Sequence, residues 1–375
     1  MNNYRFMLMN ANNKLADIRI VNNEIIVENL YLENLNSVKD IQSYLKIRLS
    51  HVNRNGVHTL IKLNNLDSTE KFLSLTRAIS CIDTLWVNDL YNYTTWDKIN
   101  PYTNRLSQAI AEIAINGEST VGYSNIRRAS PQYTLDGSVD KCIKTTEDGL
   151  YLYKTSGERW SDLAGCRPYC EYYASIVAEQ LGLDNSVMYR IDLTKTHDKL
   201  IKPYVYCKLF TTEEYGLTQM RYSKYNGYTS NELVTVLDIV SRQRYKDMIV
   251  FDSLIMNPDR HTGNYGFIIS NKSGHILSLA PIYDNDCSLG ALTSVQDKSF
   301  EQAFNEIKYS KLPKTDIGSY DDHARWAMTK DMYIRLRDVD RIKLGQRLPG
   351  ISQKRFDFME YLVNRRRVEI LNMFS

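Results

Sequence analysis

The sequence predicts an α+β fold in three parts, on the strength of three observations. Residues 1–125 mix alternating apolar patterns with a helical pattern. Residues 126–210 hold short strand patterns separated by turn signals, and residues 211–375 carry apolar side chains mainly at helical spacing. We therefore expect a mixed α/β N-terminal extension, a small antiparallel sheet crossed by one helix, and a largely helical C-terminal part. A chain of 375 residues is long enough for two or three such domains.

Composition indicates an ordered globular chain, with 43% hydrophobic and 24% charged residues. The net charge of +3 gives no global attraction to nucleic acid or to an anionic membrane. No stretch approaches the ~20 apolar residues of a membrane span, and the N-terminus lacks the apolar core of a signal peptide. The six cysteines form no CxxC pair, which suits reduced thiols. We expect a cytoplasmic protein, or one in a host cytosol if it is an injected effector.

The N-terminal extension begins with a predicted strand pair. Residues 17–21 alternate in polarity, residues 25–27 are apolar, and Asn22 and Asn23 supply a turn between them. Residues 37–49 have a helical pattern. No residue in this part combines with others into a catalytic pattern.

The second part is a predicted sheet with one helix. Strands at 141–145 and 150–154 flank Asp148 and Gly149, a dipeptide typical of hairpins. A helix follows, with Pro168 in its first turn and Gly182 after its end. Two more strands, at 187–193 and 200–207, complete the sheet.

The third part is mostly helical. Residues 232–257 carry apolar side chains at helical spacing, and Pro258 disfavours helical geometry at its end. A hairpin with strands at 265–269 and 276–282 interrupts the helices. A final helix at 356–373 carries three consecutive arginines, Arg365 to Arg367, which we interpret as a solvent-exposed face.

The segment from Asn257 to Asn264 carries the strongest chemical signal. It reads N-P-D-R-H-T-G-N, so that an aspartate precedes an asparagine by five positions. Phosphoryl transfer needs a carboxylate beside the acceptor hydroxyl and oxygen ligands for magnesium, and protein kinases place both in a D-x-x-x-x-N loop. Asp259 is the candidate base and Asn264 the candidate metal ligand.

Asp284 is the candidate second metal ligand. Asn264 stands before the first strand of the predicted hairpin and Asp284 after its second strand, and antiparallel pairing brings those ends together. Carboxylate and amide oxygens are ligands that Mg²⁺ prefers. Asp286 is a weaker rival for this role.

A lysine on a strand and a glutamate on the next helix are the candidate phosphate-binding pair. Lys154 ends the predicted hairpin strand, and Glu171 lies on the following helix, with Glu179 on the same helix as the rival partner. Upstream of Lys154, residues 133–141 contain Gly137 and the small Ser138, in the position of a phosphate loop.

These residues together resemble the HipA-like serine/threonine kinases, whose catalytic loop reads N-x-D-x-H-x-x-N and whose metal aspartate follows in P-x-Y-D. Here those motifs are residues 257–264 and 281–284. The resemblance, over residues 130–370, implies a bilobal protein-kinase-like fold that uses ATP and Mg²⁺, with Asp259 as base and Asn264 and Asp284 on the metal. It implies further that Lys154 contacts phosphates and pairs with Glu171, that His261 supports the loop, and that the segment Lys208 to Phe210 meets adenine.

The resemblance also implies regulation at the phosphate loop. The family pattern S-x-x-G-x-x-x-K is matched by residues 134–141, with Thr134 in the serine position, Gly137 in the glycine position and Lys141 in the lysine position. We expect autophosphorylation at Thr134 or Ser138.

Two alternatives remain open on the residues. Phosphoinositide kinases also use D-R-H-x-x-N followed by a metal aspartate, and a kinase fold sometimes serves as a binding module without turnover. The acceptor is expected to be a protein, and the family points to translation factors such as an aminoacyl-tRNA synthetase. Neither an antitoxin partner nor a role as toxin, effector or housekeeping kinase is readable from the sequence.

Overall fold

The computed structural model describes residues 5–31, 38–49, 54–123, 126–137, 139–156, 165–195 and 201–375. It divides into two compact units. The first comprises Met1–Lys154, Lys208–Leu217 and Ile269–Ile276, and the second comprises Thr155–Cys207, Thr218–Ile268 and Leu277–Ser375. The α+β class is confirmed. The three predicted ranges do not coincide with these two units, and the boundaries at 125/126 and 210/211 stay predictions.

The first unit opens with a four-stranded antiparallel sheet. Its strands are β1 (Arg5–Asn10), β2 (Asn13–Val21), β3 (Glu24–Leu30) and β4 (Leu85–Asp89), in the order β3–β2–β1–β4. The predicted turn is present: Asn22 and Asn23 both have positive φ, as two-residue hairpin turns require. The strands that the sequence analysis did not predict are β1 and β4.

Helices in the described part of the first unit accompany this sheet. They are α1 (Val38–Leu49), α2 (Asn55–Leu63), α3 (Thr69–Thr76), α4 (Trp96–Ile99) and α5 (Gln108–Asn116). The helix predicted at 37–49 is therefore confirmed from Val38. Helices α2 and α5 approach closely at Gly56, where an added Cβ would meet the backbone carbonyls of Ile113 and Ala114.

The first unit also contains the predicted lysine hairpin. Strands β5 (Lys141–Thr146) and β6 (Gly149–Lys154) pair antiparallel with Lys141 opposite Lys154. A 3₁₀ turn, Pro131–Tyr133, precedes them. Arg54 bridges the two ends of the loop between turn and strand, because it donates to Gln132 O at 2.9 Å and to Lys141 O at 3.1 Å. Burial lowers the pKa of Arg54 to about 10.

The second unit is mainly helical. Its helices are α6 (Arg167–Gln180), α7 (Ser230–Val236), α8 (Ile239–Ile255), α9 (Phe300–Ser310), α10 (Tyr320–Ala327), α11 (Lys330–Asp338) and α12 (Gln353–Asn372). Strands β7 (Arg190–Lys195) and β8 (Ile201–Lys208) form an antiparallel hairpin whose turn lies outside the described residues. Strands β9 (Tyr215–Gln219), β10 (Gly266–Ser270) and β11 (Ile276–Leu279) form a sheet in the order β11–β10–β9, and the residues of each strand are divided between the two units.

The single helix predicted at 232–257 is wrong, because the structure has α7 and α8 there. Leu237 is extended, with φ −75° and ψ 142°, and Asp238 caps the second helix by accepting from Ser241 N at 3.0 Å. An aspartate at an N-cap satisfies a backbone amide that no helical carbonyl reaches. The apolar periodicity continues across the break, which is why the pattern concealed it.

Two further expectations are corrected. The strand predicted at 276–282 ends at Leu279. Pro281 has no amide hydrogen with which to continue the ladder. The amide of Ile282 donates instead to Asn185 O at 2.7 Å. Arg366 of the C-terminal basic run is buried and bonds Asp321 and Glu369, whereas Arg365 is exposed. In the described part of the chain, no helix has both the length and the apolar character needed to cross a membrane.

Replacement of Gly56 by alanine tests the contact of α2 with α5. Alanine is the better helix former, but its methyl group has no room, so we expect Gly56→Ala to lower the free energy of unfolding by about 1–3 kcal/mol in urea titrations. The control is Gly117→Ala, at a positive φ with open space around it, where strain alone costs about 1–2 kcal/mol. A Gly56→Ala protein as stable as the wild type would contradict the close contact.

Candidate active site

The candidate catalytic loop begins where α8 ends. Met256 adopts a left-handed conformation with φ 50°, which turns the chain away from the helix axis. Asn257 is buried and holds the turn from both sides: its Nδ2 donates to Asp252 Oδ1 at 3.0 Å, and its Oδ1 accepts from Asp259 N at 3.1 Å. The direction in which Asp259 leaves the helix is therefore fixed by hydrogen bonds.

Arg260 joins this loop to the segment that carries Asp284. Its guanidinium is fully buried and forms a two-pronged ion pair with Asp252 of α8, at 2.8 and 2.9 Å. The same group donates to Asn264 O and Tyr283 O, both at 2.6 Å, and to Asn285 Oδ1 at 2.6 Å. Burial alone would lower the pKa of Arg260, but the charge and hydrogen bonds of Asp252 together with the charge of Asp284 make the net shift upward.

Asp259 and Asn264 are neighbours, as the motif predicts. Asn264 Nδ2 donates to Asp259 O at 2.9 Å and lies 3.5 Å from Asp259 Oδ2. Because Asn264 Nδ2 makes this hydrogen bond, the predicted metal contact of Asn264 falls to its Oδ1. The Asp259 carboxylate is 22% exposed, so an acceptor can reach it from solvent.

Three more side chains surround the Asp259 carboxylate. Lys314 Nζ lies 2.5 Å from its Oδ1, while His261 Nε2 and Cys287 Sγ lie 4.0 and 3.9 Å from its Oδ2. His261 Nδ1 accepts from Gly263 N at 3.0 Å, which assigns its proton to Nε2 when the ring is neutral. Burial raises the pKa of the Cys287 thiol, with Asp286 adding to the shift, so the thiol stays uncharged beside the two carboxylates.

Asp284 has a left-handed backbone with φ 61°, a region that aspartate and asparagine tolerate better than other non-glycine residues. Its amide points to Tyr189 Oη at 3.5 Å, and the next amide, Asn285 N, donates to Glu171 Oε1 at 2.9 Å. One oxygen each from Glu171, Asp284 and Asp286 lies within 4.8 Å of the others. Three carboxylates at this separation repel one another unless cations compensate them.

Arg167 compensates Asp286. Its Nη2 lies 2.9 and 2.7 Å from the two oxygens of Asp286 and 3.4 Å from Cys287 Sγ. Burial would lower the pKa of Arg167, but the charge of Asp286, its hydrogen bond and the charge of Asp284 act together with other nearby groups to raise it. Both oxygens of Asp286 are engaged by Arg167, and the choice of Asp284 over Asp286 as a metal ligand stays a prediction.

The donor set fits a hard divalent cation. Glu171, Asp284 and Asp286 each offer a carboxylate oxygen in one cluster, and oxygen atoms are the ligands that Mg²⁺ prefers. Asn285 Nδ2 is a buried donor without a partner among the described residues, so the amide is oriented by Arg260 alone. The two residues predicted to hold the metal thus lie on segments that Arg260 ties together.

The remaining predicted residues lie in the first unit. Lys154 is buried at the end of β6, and Lys141 Nζ donates to Asp136 O at 2.6 Å, inside the candidate phosphate loop. Gly137 has φ 93°, which a side chain would strain. Thr134 is buried and donates to Ile79 O at 2.5 Å. Ser138 lies outside the described residues.

The candidate hinge is also in the first unit, where Lys208 is exposed, Phe210 is half-buried, and Leu209 N donates to Leu150 O at 2.9 Å. Lys154 and Glu171 belong to different units, and their pairing stays a prediction, as does the choice between Glu171 and Glu179.

A loop between α9 and α10 completes the surroundings of Asp259. Lys314 N donates to Pro258 O at 3.1 Å, Thr315 Oγ1 lies 2.6 Å from His323 Nε2, and Asp316 accepts from Ser230 N at 2.9 Å. His323 is buried in α10, and burial lowers its pKa. These bonds hold the loop of residues 311–316 beside the catalytic loop.

Sequence reasoning missed four residues of this site: Asp252, Arg260, Arg167 and Lys314. Arg260 lies inside the motif that the sequence analysis singled out, so its position next to Asp259 was an available signal. The other three are separated from their partners by 8 to 119 residues, and no local pattern links them.

Comparison with known proteins gives one curated relative and a set of solved structures. No family model matches the sequence. The serine/threonine-protein kinase CtkA of Helicobacter pylori is 30% identical over 161 residues, which cover 36% of this chain and 45% of the relative. The chain thus matches less than half the length of that relative. A crystal structure of a Helicobacter pylori proinflammatory kinase CtkA is 22% identical, with a TM-score of 0.49, covering 64% of this chain and 90% of that chain.

HipA of Shewanella oneidensis, from a toxin–antitoxin complex with HipB and operator DNA, aligns with a TM-score of 0.53 over 98% of this chain and 96% of that chain. The chain has a HipA-like kinase fold. At 13% identity this likeness concerns the fold alone. Together with the curated relative, it confirms the predicted resemblance to the HipA-like serine/threonine kinases.

Loss of Arg260 should destabilise the second unit. Arg260→Met leaves Asp252 as an uncompensated buried charge, so we expect the free energy of unfolding to fall by about 3–5 kcal/mol in urea titrations. Arg325→Met is the control, because Arg325 is 59% exposed and its closest carboxylate contact is 3.9 Å, so a change within about 0.5 kcal/mol is expected. Equal stabilities of the two variants would contradict the role of Arg260.

Acid should destabilise the loop of residues 311–316 through His323. Because burial lowers the folded pKa of His323, the native protein binds a proton there less readily than the unfolded chain, in which histidine has its ordinary pKa of 6.5. Its contribution is present above that value and is lost as the pH falls below it. Between pH 7.5 and 5.5, we expect the melting temperature of His323→Gln to fall less than that of the wild type. An equal loss in both would contradict this, and exposed His275→Gln should behave as the wild type.

Proposed function

We propose that this chain is an ATP- and magnesium-dependent serine/threonine protein kinase of the HipA-like type. The observation that carries the proposal is the arrangement around Arg260. It donates at 2.6 Å to the carbonyl of Asn264 and to that of Tyr283, the residue before Asp284. A loop with a candidate base and a loop with a candidate metal aspartate are thereby held together, as phosphoryl transfer requires.

In the proposed reaction, Asp259 orients the acceptor hydroxyl and accepts its proton. Its carboxylate is partly exposed, and its backbone carbonyl accepts from Asn264 Nδ2. Asp284 and Asn264 would hold Mg²⁺, which when bound neutralises charge on the ATP phosphates. Lys154, Lys141 and Gly137 would contact the phosphates, and the segment from Lys208 to Phe210 would meet adenine.

The relationship with the serine/threonine kinase CtkA supports a protein acceptor, and we propose serine or threonine hydroxyls as the acceptor groups. We include autophosphorylation of Thr134 or Ser138 in the proposal. Thr134 is 3% exposed and its hydroxyl bonds Ile79 O, so its modification requires the turn at Pro131–Tyr133 to open first. A translation factor as substrate and an antitoxin as partner are further proposals based on the family alone.

The proposed base is tested by Asp259→Asn. The amide keeps the size of the side chain but does not accept a proton, so we expect transfer of labelled phosphate from ATP to fall by about 10²–10⁴-fold with little change in melting temperature. Asp297→Asn is the control, because Asp297 is exposed and lies on a different segment.

The assay should offer protein acceptors and phosphoinositide vesicles in parallel. An Asp259→Asn protein as active as the wild type would overturn the proposed base. Transfer to the vesicles without transfer to protein would favour the phosphoinositide-kinase alternative. A folded wild type that binds ATP without transfer to any acceptor would favour the binding-module alternative.

A further inference from the structure

Lys314 contacts the candidate base without an evident structural reason. Its side chain is 61% exposed, and its ammonium lies 2.5 Å from Asp259 Oδ1. Exposed ion pairs contribute about 0–1 kcal/mol to stability, because solvent screens them and two flexible side chains must be ordered. Stability alone therefore does not account for a lysine at this position.

The backbone of Lys314 is fixed even though its side chain is exposed. Its amide donates to Pro258 O, the residue directly before Asp259. On the C-terminal side, Thr315 bonds His323 and Asp316 bonds Ser230; on the N-terminal side, Lys311 O accepts from Tyr320 Oη at 2.7 Å. A rigid loop thus presents a long, movable ammonium group to the carboxylate.

The two oxygens of Asp259 face different groups. Oδ2 faces Asn264 Nδ2 and the Cys287 thiol, on the side of the candidate metal ligands, whereas Oδ1 faces Lys314. The nearby Arg260 is buried, and its donors are engaged by Asp252 and by the carbonyls of both loops. Among the described residues, Lys314 is therefore the lysine or arginine side chain that contacts this carboxylate and is also exposed to solvent, in contrast to Arg260.

We propose that Lys314 is a catalytic cation that leaves Asp259 when an acceptor binds and then contacts the transferring phosphoryl group. This inference rests on the proposed kinase function. The acceptor oxygen forms the new bond to phosphorus, the bond from phosphorus to the bridging oxygen of ATP breaks, and ADP leaves with that electron pair. The acceptor proton goes to Asp259. Lys314 transfers no proton and supplies positive charge to the phosphoryl oxygens.

Distance favours the phosphoryl group as the second partner of Lys314. An acceptor oxygen within hydrogen-bond reach of Asp259, about 3 Å, and within about 3–3.5 Å of phosphorus places the phosphorus at most about 6 Å from the carboxylate. A lysine ammonium is a compact charge on a flexible four-carbon stem, so it covers such a distance by changing rotamers. A carboxylate on the acceptor protein is the competing partner, which the experiment distinguishes.

The experiment compares Lys314→Met, Lys314→Arg and the control Lys311→Met in the full chain. Lys311 lies on the same loop, but its ammonium makes no ion pair among the described residues. Each variant is assayed with labelled ATP and magnesium on two acceptors, the basic myelin basic protein and the acidic casein. Binding of ADP with aluminium fluoride, which imitates the transferring phosphoryl group, is measured by calorimetry in the presence of the acceptor protein, and binding of ATP is measured in its absence.

We expect Lys314→Met to lower kcat on the order of 10²-fold for both acceptors. The KM for ATP should stay within about threefold of the wild type, because the contact forms only during transfer. Affinity for ADP with aluminium fluoride should fall in parallel with kcat, while affinity for ATP does not. Lys314→Arg should retain much of the activity, and Lys311→Met should match the wild type.

Several results would overturn the role of Lys314 while leaving the kinase function in place. The first is an unchanged or raised kcat in Lys314→Met. The second is a defect confined to a raised KM for casein. The third is a fall in kcat that is accompanied by lower ATP affinity and a lower melting temperature. The last of these would make Lys314 a structural residue, and the second would make it a residue that recognises acidic acceptors. A wild type without transfer to any acceptor would overturn the kinase function itself, and the role of Lys314 with it.

Discussion

The buried ion pair of Asp252 and Arg260 is the interaction on which the candidate site depends. Removing two charges from water is costly, and the pair is tolerated because both guanidinium edges and the carboxylate find partners. The same guanidinium satisfies the carbonyls of Asn264 and Tyr283, which are backbone acceptors outside any strand. One side chain thus converts two irregular loops into a fixed frame. Its length and planar fork make arginine suited to the position, and lysine would not span the same set of acceptors.

Three carboxylates, those of Glu171, Asp284 and Asp286, lie close together beside that frame, and Glu171 and Asp286 have different hydrogen-bond partners. Glu171 accepts a backbone amide from Asn285, and Asp286 is engaged by Arg167 with both oxygens. Asp284 has a left-handed backbone conformation, and one of its oxygens lies within 4.8 Å of an oxygen of each of the other two. Glu171 and Asp286 thus hold neighbouring groups in place, and Asp284 is the carboxylate predicted to bind a cation. The three carboxylates therefore have different surroundings, which the sequence alone does not show.

The sequence predicted what local rules determine. Asn22 and Asn23, and Asp148 with Gly149, are turn residues with a defined backbone preference, and both hairpins occur where they indicated. The D-x-x-x-x-N spacing likewise brought Asp259 and Asn264 within hydrogen-bond reach. Local rules failed where a tertiary contact decided the outcome. Asp238 breaks a continuous apolar pattern by capping α8, and Arg366 turns inward because Asp321, 45 residues earlier, meets it. The contact of Lys314 with Asp259 spans 55 residues and has no sequence signature.

The two cations at the catalytic loop differ in a way that matches two different tasks. Arg260 is buried, fully hydrogen-bonded and unable to move without leaving carbonyls and a carboxylate unpaired, so it suits the holding of geometry. Lys314 is exposed, held by a single ion pair and mounted on a fixed backbone, so its head can exchange one oxyanion for another at little cost. Negative charge that develops during phosphoryl transfer is stabilised best by a cation that already lies close to the site and is held there by few other contacts. By that criterion Lys314, and not the buried Arg260, is the cation suited to move to the phosphoryl group during transfer.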